Sequence, residues 1–400
     1  MTAKTSVIIT GATPAGLTMA VGLLQKGLQV TVLQTEADDT VPDEICLIYT
    51  STLEALDRIG LANRLIAQGE KIDHKQFWNR DASVLAADLS YDTLAGDTRF
   101  PFQLACRRAA LMGTLSDAVA ELAPNAVVGG LTIDRIEQAG DTVSVRCTGP
   151  DGAVTHTADL VVPTHAGASA LIGIHVEELL TVHHFLVAEC DIDLDDVFPG
   201  LNRRALLVGE TSLTSITQLG PHRRFVFQFF PKLGREVSPT SDPAEALDGL
   251  IGADHPRDIL ASREVKKRHY LATALLSGRV FLAGKAAHCF DSPINHMGLN
   301  TDIQDGLETV LAVAEVPAAG SLAPLERFAQ TRHATNLRLL GQISNVYYDV
   351  MANSAQDLRF GKFEIRMARL AESESRTRTF LMQRNLMPVT EAKTPQAAVA

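Results

Sequence analysis

The sequence has few cysteines and no cysteine pattern. Its five (Cys46, Cys106, Cys147, Cys190, Cys289) are scattered, odd in number and without a CxxC pair. Such a set builds neither a disulfide framework nor a zinc site, so the thiols read as small hydrophobes of a reducing compartment. Basic charge is also short, with 36 Lys and Arg against 47 Asp and Glu and a net charge of −11. A nucleic-acid binder needs clustered cations to displace counterions, and that class is excluded. No uninterrupted apolar run reaches the roughly 20 residues a membrane span needs. The apolar start, Met1 to Leu24, carries one early Lys4 and is broken by Gly11, Pro14 and Gly16, which does not suit a signal peptide. There is no GxSxG hydrolase turn and no His/Asp/Glu grouping at metal-ligand spacing. What remains is 400 residues, 46% hydrophobic and 21% charged, enough for two or three domains with a real core. The expectation is a cytoplasmic monomer or homodimer acting on a small organic molecule, with no nucleic-acid or membrane partner.

The chain opens as strand, turn, helix, strand. Ser6 to Thr10 is a β-branched run suited to a buried parallel strand, Gly11 to Gly16 a glycine-rich turn, and Leu17 to Lys26 a helix that Gly27 ends. Gln29 to Leu33 completes a βαβ unit, which fixes an α/β class. A helix follows near Ser51–Ile59, another from Arg108, a hairpin turning at Ala139-Gly140-Asp141, and a buried strand at Asp159–Val162. From Val182 to Leu271 alternating strands such as Phe185–Asp191, Leu213–Leu219 and Arg224–Phe230 read as a mostly antiparallel sheet. A buried strand ending at Gly284 and helices at Asn300–Ala314 and Leu322–Met351 follow. The expected organisation is a discontinuous Rossmann-like domain (1–75, 100–180, 275–320), an inserted sheet domain for substrate (76–99, 181–274), a helical region (321–386) and a flexible tail (387–400).

Three segments resemble the class A flavoprotein monooxygenases, the aromatic hydroxylases related to p-hydroxybenzoate hydroxylase. Gly11-Ala12-Thr13-Pro14-Ala15-Gly16 resembles the family's GxGxxG turn. Asp159 to Ser169 lies where the family has its mid-chain Asp-Gly motif. Gly284-Lys285-Ala286-Ala287-His288, then Ser292-Pro293 and Gly298-Leu299-Asn300, resembles its Gly-Asp motif and flavin-side loop. Their order and separation over nearly 300 residues imply the FAD-type fold.

The departures lie where the resemblance implies cofactor contacts. Thr13 replaces the middle glycine of the turn that brings backbone to a pyrophosphate. Gln34 stands for the ribose-binding acid, at a cost of about 1 kcal/mol. Glu44 and Ser51 occupy positions of an expected arginine, and an acid there would repel a phosphate by roughly 1 to 4 kcal/mol. His165 and Ala166 replace Asp and Gly of the mid-chain motif, and Lys285 replaces the acid of the Gly-Asp motif. Gly11, Gly16, Arg108, Gly284 and the Gly298-Leu299-Asn300 remnant are kept, which is what the FAD-dependent alternative rests on. If each substitution costs about 1 to 2 kcal/mol, affinity falls by orders of magnitude. On that reckoning Gly11, Thr13, Gly16, Gln34, Arg108, His165 and Gly284 are vestigial and no cofactor is expected.

The expected function is then a flavin-independent tailoring enzyme performing a redox-neutral cyclisation, pericyclic step or dehydration on a polyketide-like or aromatic substrate. Lys285, Asp291 and His296 are the candidate acid–base groups, with His184, Arg224 and Asn295 facing substrate. His288 reads as structural. Two alternatives stand beside it: an FAD-dependent aromatic or polyketide hydroxylase with an unusual cofactor site, and a non-catalytic partner protein of a biosynthetic pathway.

Overall fold

A computed structural model describes residues 5–35, 43–81, 83–209, 212–220, 224–231, 242–290, 297–316, 320–351 and 357–388. Strand β1 (Ser6–Thr10) pairs in parallel with β2 (Gln29–Thr35) on one side and β6 (Leu160–Pro163) on the other. These three form the centre of an eight-stranded sheet, and their unbroken aliphatic runs reflect burial on both faces. Helix α1 (Pro14–Gln25) crosses from β1 to β2 and is buried along almost its whole length. It begins three residues earlier than its apolar spacing predicts. The Thr13 side chain caps it by accepting from the Gly16 N–H, and Pro14 fixes the first helical φ. Gly27, at φ +80°, ends it: its N–H reaches Leu24 O at 2.8 Å and the Leu28 N–H reaches Leu23 O at 3.1 Å.

A second eight-stranded sheet contains β4 (His74–Asn79), β7 (Val176–Ile192), β8 (Arg204–Val208), β9 (Ser212–Gln218), β10 (Arg224–Pro231) and β11 (Arg257–Ala272). It is antiparallel except where β8 runs parallel to β4. Alternation along these strands makes two faces. Trp78, Leu207 and Phe227 pack outward against Phe198 and Leu247. Phe77, Leu206, Val226 and Phe230 pack inward, against Ile45 and Leu47 of β3 (Ile45–Ile48) and Ala105 of β5 (Gln103–Arg107). The inner face therefore looks across at the first domain, and the space between them is where a ligand can be enclosed.

Helix α2 (Arg108–Leu122) follows β5, and α3 (Met297–Ala314) returns under α1. Helix α4 (Ala323–Met351) lies on α3, and α5 (Glu374–Arg384) closes the inner face with Leu381 and Met382. Met387, assigned to a flexible tail by its sequence, is buried, and residues 389–400 lie outside the described residues. Among the described residues no helix is long and apolar enough to cross a membrane.

The approach of α3 to α1 depends on missing side chains. A Cβ on Gly306 would sit 2.5 Å from the Ala15 carbonyl oxygen, and one on Gly22 would sit 2.7 Å from Val310. Gly306→Ala meets backbone that cannot rotate away, so urea denaturation is expected to show a loss of about 1–3 kcal/mol. A neutral result would mean that the two helices can separate freely.

Candidate functional site

The C-terminal ends of β1 and β6 and the N-terminus of α1 converge on one turn. Thr13 does not project from it. It is 8% exposed, its hydroxyl donates to Thr164 Oγ1 at 2.8 Å and accepts from Gly16, so the branched side chain lies in the β1–β6 seam. Thr164 Oγ1 in turn donates to the Gly11 carbonyl at 3.0 Å. The His165 ring folds back the same way, its Nδ1–H donating to Thr10 O at 3.0 Å. In the first turn of α1, Pro14 has no N–H, Gly16 is capped, and the Ala15 N–H has no acceptor among the described residues. A helix N-terminus with a donor uncommitted among the described residues fits a pyrophosphate. Gln34 is half-buried at the end of β2.

Arg108 opens α2, and the acids beside it have structural work. Asp43 Oδ1 accepts from the Ala109 N–H at 2.9 Å, and Glu44 O accepts from the Arg108 N–H at 2.8 Å. Both acids stand at a positive helix end, and Glu44 pairs with Arg263 of β11 at 3.2 Å. A cleft of about 230 Å³ lies here, between Asp43, Glu44 and Arg107 on one side and Glu189, Gln228 and Arg263 on the other. Arg107 pairs with Glu189, which Arg224 also approaches at 3.7 Å. Arg224, expected to face substrate, is exposed at this rim.

The turn holding Lys285 is fixed from below. Asp305 of α3 accepts from the Gly284 N–H at 3.1 Å and from His288 Nε2 at 2.6 Å, and pairs with Arg332 of α4, which also reaches Glu308 at 2.7 Å. Burial alone would raise the Asp305 carboxyl, but Arg332 and His288 outweigh it and hold it at about 2. Gly284 sits at φ +53° with a Cβ position 2.7 Å from Ala15, so only glycine lets this turn meet α1. Lys285 is half-buried, and its carbonyl accepts from Tyr270 Oη at 2.7 Å. Asp302 is buried next to the turn, its Oδ1 3.7 Å from the Gly284 Cβ position. A carboxylate thus reaches the turn from α3 rather than from position 285.

Deeper between the domains, Lys75 of β4 and Arg204 of β8 stand on the inner face beside Tyr49 and Tyr91, all buried. Arg204 donates to Ile216 O at 3.2 Å and Thr217 Oγ1 at 2.9 Å. Burial lowers its guanidinium to about 10, still charged at neutral pH. The Tyr49 N–H donates to Asn300 Oδ1 at 2.8 Å, and Asn300 Nδ2 donates to Leu47 O at 2.8 Å, so the end of β3 is tied to the first turn of α3. Spacing in the sequence marked none of Tyr49, Lys75, Arg204 or Asp302. Asp291, Asn295 and His296 lie outside the described residues, and of His184 only its place in β7 opposite Lys266 is described.

Residues 4–341 match the FAD binding domain family. The chain belongs to that family. Its relatives are flavoprotein monooxygenases of class A. It is 25% identical to a 6-methylpretetramide 4-monooxygenase of Streptomyces rimosus over 334 residues, covering 78% of this chain and 56% of that protein. It is 26% identical to a pentachlorophenol 4-monooxygenase of Sphingobium chlorophenolicum over 339 residues, covering 78% and 59%. The family member described here therefore spans under two thirds of these relatives' length. It shares its fold with a p-nitrophenol 4-monooxygenase from Pseudomonas putida DLL-E4, with a TM-score of 0.83, 20% identity, and coverage of 96% of this chain and 99% of that one.

The expectation of a flavin-independent enzyme is corrected by these relatives, which are named as monooxygenases, and by the family itself. Its physical error was to assign every substitution a cost against the cofactor. Thr13 and His165 turn into protein, and Glu44 is neutralised by Arg263.

The Asp305 carboxyl has a folded value below its ordinary 3.8. Its contribution is therefore complete above about pH 4 and is lost as pH falls through about 2, on the order of 2 kcal/mol. Acid denaturation of wild type against Asp305→Asn checks this: the variant is expected to start less stable and to lose less between pH 4 and pH 2. Parallel curves would contradict it.

Proposed function

We propose that this chain is an FAD-dependent monooxygenase that hydroxylates an aromatic or polyketide-like compound. The observation that carries the reading is the cradle at α1: Thr13 is tied inward to Thr164, and the Ala15 N–H has no acceptor among the described residues. Reduced FAD supplies the electrons and the activation of dioxygen in such a reaction. The chain's own part is to bind and to enclose. The N-terminus of α1 would hold the pyrophosphate, Gln34 would accept from ribose hydroxyls, and Arg108 would add positive charge. The turn at Gly284, pinned by Asp305, would set how closely the cofactor lies against α3. The inner sheet face, apolar around Phe77, Leu206 and Val226, would exclude water from an aromatic substrate.

The relatives' names support a phenolic or polycyclic substrate: two of those that match are a 6-methylpretetramide and a pentachlorophenol monooxygenase. The test is turnover. Full-length protein given FAD, reduced nicotinamide cofactor and oxygen is expected to oxidise the nicotinamide faster when 1,8-dihydroxyanthraquinone or 4-nitrophenol is present. Product formed under heavy-isotope dioxygen should carry the label. Nicotinamide oxidation that no phenol stimulates, with no labelled product, would overturn the proposal.

A further inference from the structure

The cleft between Glu44 and Arg263 opens directly on the inner sheet face. Its floor includes Ile45, Val187 and Val226, three members of the apolar cluster that fills that face. Its rim is charged. Glu44, just before β3, and Arg107, the last residue of β5, stand on one side, and Glu189 of β7 and Arg263 of β11 on the other. Glu44 pairs with Arg263 at 3.2 Å, and Arg107 pairs with Glu189. Each side thus gives one acid and one base, and the two pairs run in opposite senses. Among the described residues no strand pairing joins the sheet of β3 and β5 to the second eight-stranded sheet. Across this mouth the two domains are held by side chains.

The pairs can part at little cost. All four side chains keep between 16% and 30% of their surface exposed, where an ion pair is worth little and salt screens it. Two of the four charges also have a second counter-ion on their own side. Arg224 of β10 stands 3.7 Å from Glu189, and the Asp43 carboxylate, on the same rim, acts on Arg107. When Glu189 and Arg107 separate, each keeps an opposite charge in its own domain. Sliding is disfavoured instead, because it would bring Glu44 toward Glu189 and Arg107 toward Arg263, like against like.

We infer that these two ion pairs form a clasp over the interdomain cleft, a gate that opens by separation of the pairs and admits small molecules to the apolar inner face. Closed, the cleft holds about 230 Å³. Sites for small molecules start at roughly 300 Å³, so a ligand of several rings passes only with the clasp apart. The gate goes beyond the monooxygenase reading and does not depend on it, since it acts on any molecule that reaches this face.

Opening is read with a thiol at the floor of the cleft, introduced by Val226→Cys at a position 4% exposed when the clasp is closed. The reagent is N-ethylmaleimide, which is uncharged, so charge substitutions act on the gate and not on the reagent. Labelling of the full chain is followed site by site by peptide mass. Cys190, buried on the outer face of the same sheet, reports unfolding in the same samples. In this background Arg263→Glu, which sets an acid against Glu44, is expected to speed labelling of the reporter thiol by at least about fivefold. Adding Glu44→Arg rebuilds the pair with its charges exchanged and is expected to return the rate to within about twofold of the parent. Raising sodium chloride from about 0.05 to about 0.5 M should speed the parent too, while Cys190 stays slow. Equal rates in the parent and Arg263→Glu would overturn the gate. So would parallel acceleration at Cys190, which means unfolding, or a double variant that stays as fast as Arg263→Glu.

Discussion

The carboxylate of Asp305 joins parts of the chain that have no other reason to meet. It is buried on α3, takes the Gly284 N–H and His288 of the turn after the last central strand, and pairs with Arg332 of α4. Its two oxygens thus satisfy a backbone donor, an imidazole and a guanidinium at once. A buried charge with fewer partners would be a liability. With all three it fixes the height of the Gly284 turn over α1, which in turn depends on Gly284 and Gly306 having no side chain. The turn over the α1 N-terminus and the first turn of α3 are therefore set by one ion network.

The βαβ opening was legible because its signals are local. A β-branched run, a glycine turn and apolar helical spacing each act within a few residues, and Thr13 and Pro14 even mark the helix start once their capping roles are recognised. The inner-sheet alternation of Phe225 to Phe230 was legible for the same reason. The state of the cofactor turn was not. Whether Thr13 blocks a phosphate depends on Thr164, 151 positions away, which gives the hydroxyl a partner inside the protein. Glu44 is harmless only because Arg263, 219 positions on, reaches it. Substitutions weighed one at a time, each against the cofactor, all counted as losses; weighed against their real neighbours, Thr13 and His165 turn into protein and Glu44 has a cationic partner.

Lys75 illustrates the opposite blindness. In His74–Asn79 a lysine between polar residues reads as the solvent face of a strand, and nothing in the local pattern says that it is buried. Its burial is a tertiary fact, as is the presence of Arg204 on the neighbouring strand.

The central claim is that the cradle at the α1 N-terminus still holds FAD. The most direct measurement is the visible absorbance spectrum of freshly purified protein, repeated after incubation with excess FAD and desalting. The account predicts that the two flavin bands are present after desalting, at a stoichiometry near one per chain, and that Gly16→Val, whose side chain would meet the Gly11 carbonyl, loses them. A flat spectrum from well-folded wild type after the same treatment would contradict it.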